Sequence, residues 1–165
     1  MNKASKGRSS DHRASIRIRA AKVRDSARIA FLSGELGYPV TTRKMERCIR
    51  TVLRRKDQRI FVAEVNGTVN GWLEVFLPRS VLNWGKAEVG ALIVDHGNRG
   101  SGLGGRLLEA ARRWSEEHKS KFIYLRSNIK RKEAHRFYEN AGYRVRKTQF
   151  VFQFLLDKKR KGQRT

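Results

Sequence analysis

Asn98-Arg99-Gly100-Ser101-Gly102-Leu103-Gly104-Gly105-Arg106-Leu107-Leu108 places four glycines within six residues, immediately ahead of an apolar periodic stretch. The residues before it, Ala87 to Val94, read as a strand that runs through Asp95 into the turn. Those after it carry Leu103, Leu107, Ala111 and Trp114 on one helical face. Glycines at such a joint let backbone N–H groups close on an anion, and the first helical turn adds unpaired donors and the positive end of the helix dipole. The segment therefore reads as a phosphate cradle. Gly100, Gly102 and Gly105 satisfy G-x-G-x-x-G literally, but a dinucleotide fold needs an acid after the next strand to hold the ribose, and Ser127 and Asn128 stand there. A P-loop needs Gly-Lys-Ser/Thr after the glycines, which is also missing. Neither nucleotide fold fits.

Outward from the cradle, the chain divides into a basic arm (1–14), a patterned body (15–156) and a basic tail (157–165). The body opens on a period-two strand, Ser15-Ile-Arg-Ile-Arg-Ala, followed by a helix bearing Ile29, Ala30, Leu32 and Leu36 that breaks at Gly37-Tyr38-Pro39. From Thr42 a second helix repeats Met45, Cys48, Ile49, Val52 and Leu53 at spacings of three and four, with arginines and Lys44 around the rest. Arg59 to Val65 and Val69 to Leu77 flank Asn66-Gly67, a tight-hairpin signal because both residues tolerate positive φ. Beyond the cradle helix come a short strand at Phe122 to Arg126, a helix from about Arg131 to Asn140 ending at Gly142, and two expected strands over Tyr143 to Leu156 with alternating Phe150, Phe152 and Phe154. The order is β-α-α-β-β-β-α-β-α-β-β. It implies a single mixed α/β (α+β) domain with a central, mixed, twisted sheet of six to seven strands flanked by about four helices.

With this order on the page, the chain resembles the GNAT superfamily of acyl-CoA-dependent N-acyltransferases. Arg99, Gly102 and Gly104 match its central motif of Arg or Gln, two residues, Gly, one residue, Gly or Ala. Ala87-Glu-Val-Gly-Ala-Leu-Ile-Val-Asp is similar to the family's fourth strand, and Asn128, Ala134, Phe137-Tyr138-Glu139 and Gly142-Tyr143 continue the likeness. His96 and Asn98 depart from it, where many members have Pro and an aromatic residue. The resemblance implies acetyl-CoA as acyl donor, its pyrophosphate held by Arg99, Gly100, Ser101, Gly102, Leu103, Gly104 and Gly105, and its pantetheine arm bonded by the main chain of Leu92, Ile93 and Val94 with Asn128 nearby. It also implies a base that takes the proton from the attacking amine, with Glu88 the candidate, and a phenol, Tyr138, that protonates the departing thiolate. Each has a plainer reading: Glu88 as a strand carboxylate that faces solvent or pairs with a basic residue, Tyr138 as a ring packed beside Phe137, and Asn128 as a strand-end turn residue.

Composition sets the outer bounds. The 165 residues suit one domain, and no apolar run approaches the roughly 18 residues of a membrane span. The opening residues lack an apolar signal core, so a cytoplasmic protein with no membrane partner is expected. Cys48 falls on an apolar helical stripe, where a buried thiol is the default, and an acyl-cysteine route is disfavoured. The four histidines show no zinc spacing, so no metal is expected. The 38 basic residues against 15 acidic ones give +23, most of it within the body. That field favours polyanions and opposes polycationic substrates such as polyamines or aminoglycosides. Three readings stay open: an N-acetyltransferase acting on a primary amine of a small molecule or protein, a non-catalytic CoA-binding module, and a nucleic-acid or ribosome-associated protein using Arg43 to Arg59 and both tails. A homodimer is a further expectation that the resemblance carries.

Overall fold

The computed structural model describes residues 15–156; the expected arm (1–14) and tail (157–165) lie outside the described residues. The chain forms two compact units, one ending at Ile129 and one beginning at Lys130. The first unit holds β1 (Ile16–Ala20), α1 (Ser26–Glu35), α2 (Thr42–Leu53), β2 (Gln58–Val65), β3 (Thr68–Phe76), β4 (Lys86–Val94), α3 (Leu103–Glu117) and β5 (Phe122–Leu125). Their order follows the sequence expectation element for element. The strands form one sheet in the order β1-β2-β3-β4-β5, antiparallel except for the β4–β5 pair, which α3 makes parallel by crossing over.

Local chemistry explains the joints. Asn66 and Gly67 turn the β2–β3 hairpin with φ of 49° and 82°, the two positive angles that match strand twist. The Thr41 side chain caps α2 by accepting from the Lys44 N–H at 3.3 Å. Arg19 on β1 bridges Asp25 and Glu64. Burial alone would raise the Asp25 pKa, but the Arg19 guanidinium and the Lys22 N–H hold it below the usual carboxylate range.

Two apolar layers cover the sheet. Ile29 and Leu32 of α1 and Ile49 and Val52 of α2 pack with Ile60, Val62, Trp72 and Ile93 of the sheet. Gly71, Leu73 and Val75 alternate to the other face, where a Cβ on Gly71 would meet Leu107 Cδ1 at 3.3 Å, so α3 covers that side with Leu103, Leu107, Ala111 and Trp114 buried. Cys48, expected in the core, is exposed: the inward line of α2 runs through Met45, Ile49 and Val52, and Cys48 lies beside it.

In the second unit α4 (Lys132–Asn140) ends in a left-handed Gly142 (φ 87°), with the Gly142 N–H on Glu139 O at 2.9 Å and the Tyr143 N–H on Tyr138 O at 3.0 Å. The two strands expected over 143–156 are absent from the described residues, so the sheet has five strands instead of six or seven. Alternation supplies a strand's side-chain pattern, but a ladder also needs backbone pairing, and none of the five strands falls within residues 143–156. Phe150, Phe152 and Phe154 are accordingly exposed.

Candidate active site

The cradle and one strand edge meet at the upper end of β4. β4 pairs with β5 only from Lys86–Val89 to Phe122–Leu125, then continues five residues beyond the end of its neighbour. Among the described residues Gly90 to Val94 are thus flanked by a strand on the β3 side alone, with an open edge on the other. This segment holds Leu92, Ile93 and Val94. Ile93 turns its side chain into the core, which leaves the main chain as the part that faces outward along the edge.

From Val94 the chain enters the cradle through Asp95, which accepts from the Gly97 N–H at 3.0 Å and pairs with Arg28 of α1. Burial pushes its pKa up, and these two donors more than offset that to hold it below the usual range. Ser101 Oγ donates to the Asn98 carbonyl at 2.5 Å, closing the turn on itself. Gly100 and Gly102 have φ of 76° and 82°, angles a residue with a Cβ rarely adopts, and Gly102 is the N-cap of α3. The first helical bond runs from Arg106 N to Gly102 O, so the helix supplies no acceptor for the N–H groups of Leu103, Gly104 and Gly105. No atom lies within 4 Å of where a Cβ would stand at Gly100, Gly102 or Gly105, and Arg99 and Arg106 are exposed alongside. Open space, N–H groups that the helix leaves without an acceptor and two guanidinium groups make a fit for a diphosphate.

Glu88 occupies the lower half of β4, on the face covered by α1 and α2. Its carboxylate is 6% exposed. Tyr124 Oη donates to Oε2 at 2.6 Å, and Arg126 donates to Oε1 from Nε at 3.0 Å and from Nη2 at 2.5 Å. Tyr124 is pushed up to about 12 by burial and then by the Glu88 charge, so the phenol stays a donor. A second carboxyl, Glu74 on β3, shares this face. Its pKa is raised, first by burial and further by Glu88, against the Gln58 Nε2 donor at 2.6 Å. The β3–β4 register jumps from Glu74↔Ala91 to Val75↔Val89, which makes Gly90 a bulge. A Cβ there would stand 2.9 Å from Glu74 Oε2, so the close approach of the carboxylate requires glycine.

Sequence reasoning missed Glu74, Tyr124, Arg126 and the bulge, because a one-residue slip decides which strand side chains share a face. The run Glu88-Val-Gly was the one signal, since an isolated glycine within a strand marks a bulge. The structure places Glu88, Leu92, Ile93 and Val94 on β4, Arg99 to Gly102 on the loop that follows it, and Leu103 to Gly105 in the first turn of α3. Asn128 lies just past β5 and is exposed. Tyr138 belongs to the second unit, where its ring contacts Phe137 at 5.3 Å and Tyr143 at 6.1 Å between centroids, and burial raises its pKa against the opposing charge of Arg131. His118 spans two carbonyls, of Trp114 and Lys56, with no carboxylate partner among the described residues. No described helix is long and apolar enough to cross a membrane, and no three His, Cys, Asp or Glu residues among the described ones gather to hold a metal ion.

Comparison with known proteins points the same way. A family model described as an acetyltransferase (GNAT) domain matches residues 56–145, more than half of the chain. A Bacillus subtilis (strain 168) protein named uncharacterized N-acetyltransferase YhfO is 28% identical over 134 residues, 76% of this chain and 88% of that protein. Glucosamine-6-phosphate N-acetyltransferase from Arabidopsis thaliana shares the fold with a TM-score of 0.71 at 22% identity, covering 85% of this chain and 99% of that one. Aminoglycoside N-acetyltransferase AAC(6')-Iy, solved in complex with CoA, does so with a TM-score of 0.77 at 13% identity, covering 86% and 95%.

Proposed function

Because the chain belongs to the GNAT acetyltransferase family, we propose that it transfers the acetyl group of acetyl-CoA directly to a primary amine of a small molecule or a protein. The observation that supports this most is the free edge of β4, Gly90 to Val94, leading without a break into the diphosphate-fitting loop at the start of α3. A pantetheine arm carries two amides, and an open strand edge is the surface that pairs with amides in an extended chain. Leu92, Ile93 and Val94 would hold that arm, the N–H groups of Leu103, Gly104 and Gly105 with Arg99 the diphosphate, and Gly100, Ser101 and Gly102 the shape of the turn. Asn128 is assigned to the arm on resemblance. Bound there, acetyl-CoA supplies an acyl carbon activated as a thioester.

An alkylammonium keeps its proton at neutral pH, so the chain has to take that proton before nitrogen can attack. Glu88 is our candidate acceptor, directly or through one water. Arg126 and Tyr124 fix its carboxylate in place while leaving each oxygen a second lone pair. The attacking nitrogen forms the amide bond, the carbon–sulfur bond breaks, and the thiolate needs a proton, a role we give to Tyr138 on the family resemblance alone. Its raised pKa keeps that phenol protonated at neutral pH. The acceptors in the names of the structural neighbours belong to those proteins. At +23 the field favours an amine that also carries an acidic group over a polycation.

Calorimetric titration with acetyl-CoA and with CoA in moderate salt, followed by a thiol-release screen of amines, tests the reading. Gly105→Val is the informative variant: it places a side chain in the open space without left-handed strain, and at a helical position valine is no poorer a helix former than glycine, so the change carries no propensity cost. We expect saturable one-to-one binding that weakens at least about tenfold in the folded variant. Equal affinity in both proteins would refute the cradle assignment.

A further inference from the structure

At the opposite end of β4 from the cradle, about 26 Å away along the strand, the β3–β4 connection projects apolar side chains into water. Val81 is 93% exposed, Leu82 85% and Trp84 88%. Trp72 and Trp114 are buried, so Trp84 is the exposed indole of the three. A short 3-10 turn, Val81–Asn83, carries this tip, with the Asn83 N–H on Ser80 O at 3.0 Å. Cations ring it. Lys86 Nζ donates to Leu82 O at 2.9 Å and lies 5.4 Å from the Phe122 ring centroid, and Lys121 joins through its N–H on Gly85 O at 2.8 Å. Arg79, 81% exposed, shares Asp57 with Arg55 at the end of α2. Neighbouring Arg54 and Lys56 are exposed and make no ion pair among the described residues. The acids nearby are Asp57, already shared by two arginines, and Glu116 and Glu117 in the last turn of α3, which the His118–Lys56 contact ties to this end.

We propose that this tip docks the protein on an anionic lipid surface, with Val81, Leu82 and Trp84 entering the interface and the surrounding arginines and lysines meeting lipid phosphates. The side chains favour this occupant. A single-stranded nucleic acid would use Trp84 for stacking, but two aliphatic neighbours as exposed as the indole have no part in stacking. A convex apolar tip with an aromatic residue and a cationic collar is what inserts at the level of lipid headgroups. The charge is complementary, since anionic membranes attract such residues within a Debye length. The expectation of no membrane partner rested on the lack of a spanning segment, and peripheral docking needs none.

Flotation of the full chain with vesicles of phosphatidylcholine alone, and with 30% phosphatidylglycerol as a chosen composition of about that value, reads the binding while Trp84 emission reads insertion. We expect binding to the anionic vesicles, a blue shift of the emission, and about tenfold weaker partition for Leu82→Ser with Trp84→Ser. Because both residues are exposed, the variant folds, and its thermal unfolding checks that. Undiminished binding of the variant would mean adsorption through charge alone and overturn the proposal. So would equal binding to neutral vesicles, a uridine 20-mer of about that length shielding Trp84 from acrylamide where vesicles do not, or self-association that covers Trp84 in the absence of lipid.

Discussion

Glu88 and Glu74 share a face of the sheet but not an environment. Glu88 has a cation and a phenol on its oxygens, so its charge is compensated where it is buried. For Glu74, burial first and the nearby Glu88 charge second make ionisation costly, and its one neutral amide donor, Gln58, only partly offsets them. If Glu88 takes the proton, Glu88→Gln lowers kcat/KM by about a hundredfold or more in the thiol-release assay, within the usual range for general bases. A change of less than twofold would sink that assignment. For Glu74 the folded pKa lies above the unfolded one, so its contribution to stability is intact below the unfolded value near 4 and is lost as pH rises through the folded value. Glu74→Gln keeps an acceptor for Gln58 and removes the titration. We expect its Tm to equal the wild-type value near pH 4 and exceed it at pH 8, by about 2–4 °C if the relief is about 1 kcal/mol. A Tm difference independent of pH would show that Glu74 does not titrate in this way.

Elements announce themselves to different degrees. Gly34 lies inside α1 with nothing within 4 Å of a Cβ, so Gly34→Ala should stabilise by about 0.5–1 kcal/mol, measured by denaturant unfolding, by removing backbone freedom from the unfolded chain. Destabilisation would mean a constraint on that helix that its surroundings do not reveal. Gly102 is the contrasting case, because its φ of 82° makes a Cβ costly whatever the space. Such signals are local, which is why the hairpin at Asn66-Gly67, the cradle and the break after α1 were legible in the sequence. So was the order of elements through α4, set by periods of two and 3.6. The pairing of strands is not local. Phe150, Phe152 and Phe154 carry the period of a strand and remain outside the sheet, and the Gly90 bulge that brings Glu74 towards Glu88 depends on register across β3 and β4. Cys48 shows the same limit on a helix, where the five-residue stripe from Met45 to Leu53 does not say which of its edges meets the core. The donor half of the candidate site, a contiguous run of chain, was therefore readable, and the carboxyl cluster assembled from three strands was only partly so.

For the molecule as a whole, two electrostatic effects oppose each other as salt is added. Screening weakens ion pairs, which destabilises the fold, and also weakens the mutual repulsion of an excess of 23 positive charges, which stabilises it. The pairs on α2 and α3, Arg50–Glu46, Arg112–Glu109 and Arg113–Glu109, are largely exposed, and such pairs contribute about 0–1 kcal/mol each. The Arg19 cluster is mostly shielded from solvent, so mobile ions reach it poorly. Repulsion, by contrast, sums over every pair of like charges within about 10 Å at 0.1 M salt and over far fewer at 1 M, where the Debye length is about 3 Å. Tm should therefore rise between 0.1 M and 1 M potassium chloride, by about 2–4 °C for each kcal/mol of repulsion relieved. Chloride is the salt to use, because sulfate would strengthen apolar burial by itself. The same screening should weaken acetyl-CoA binding, since part of the attraction for its phosphates comes from the general field. A Tm that falls with chloride would show that the ion pairs outweigh the excess charge, and that the arginines of the surface are arranged for stability more than for a polyanionic partner.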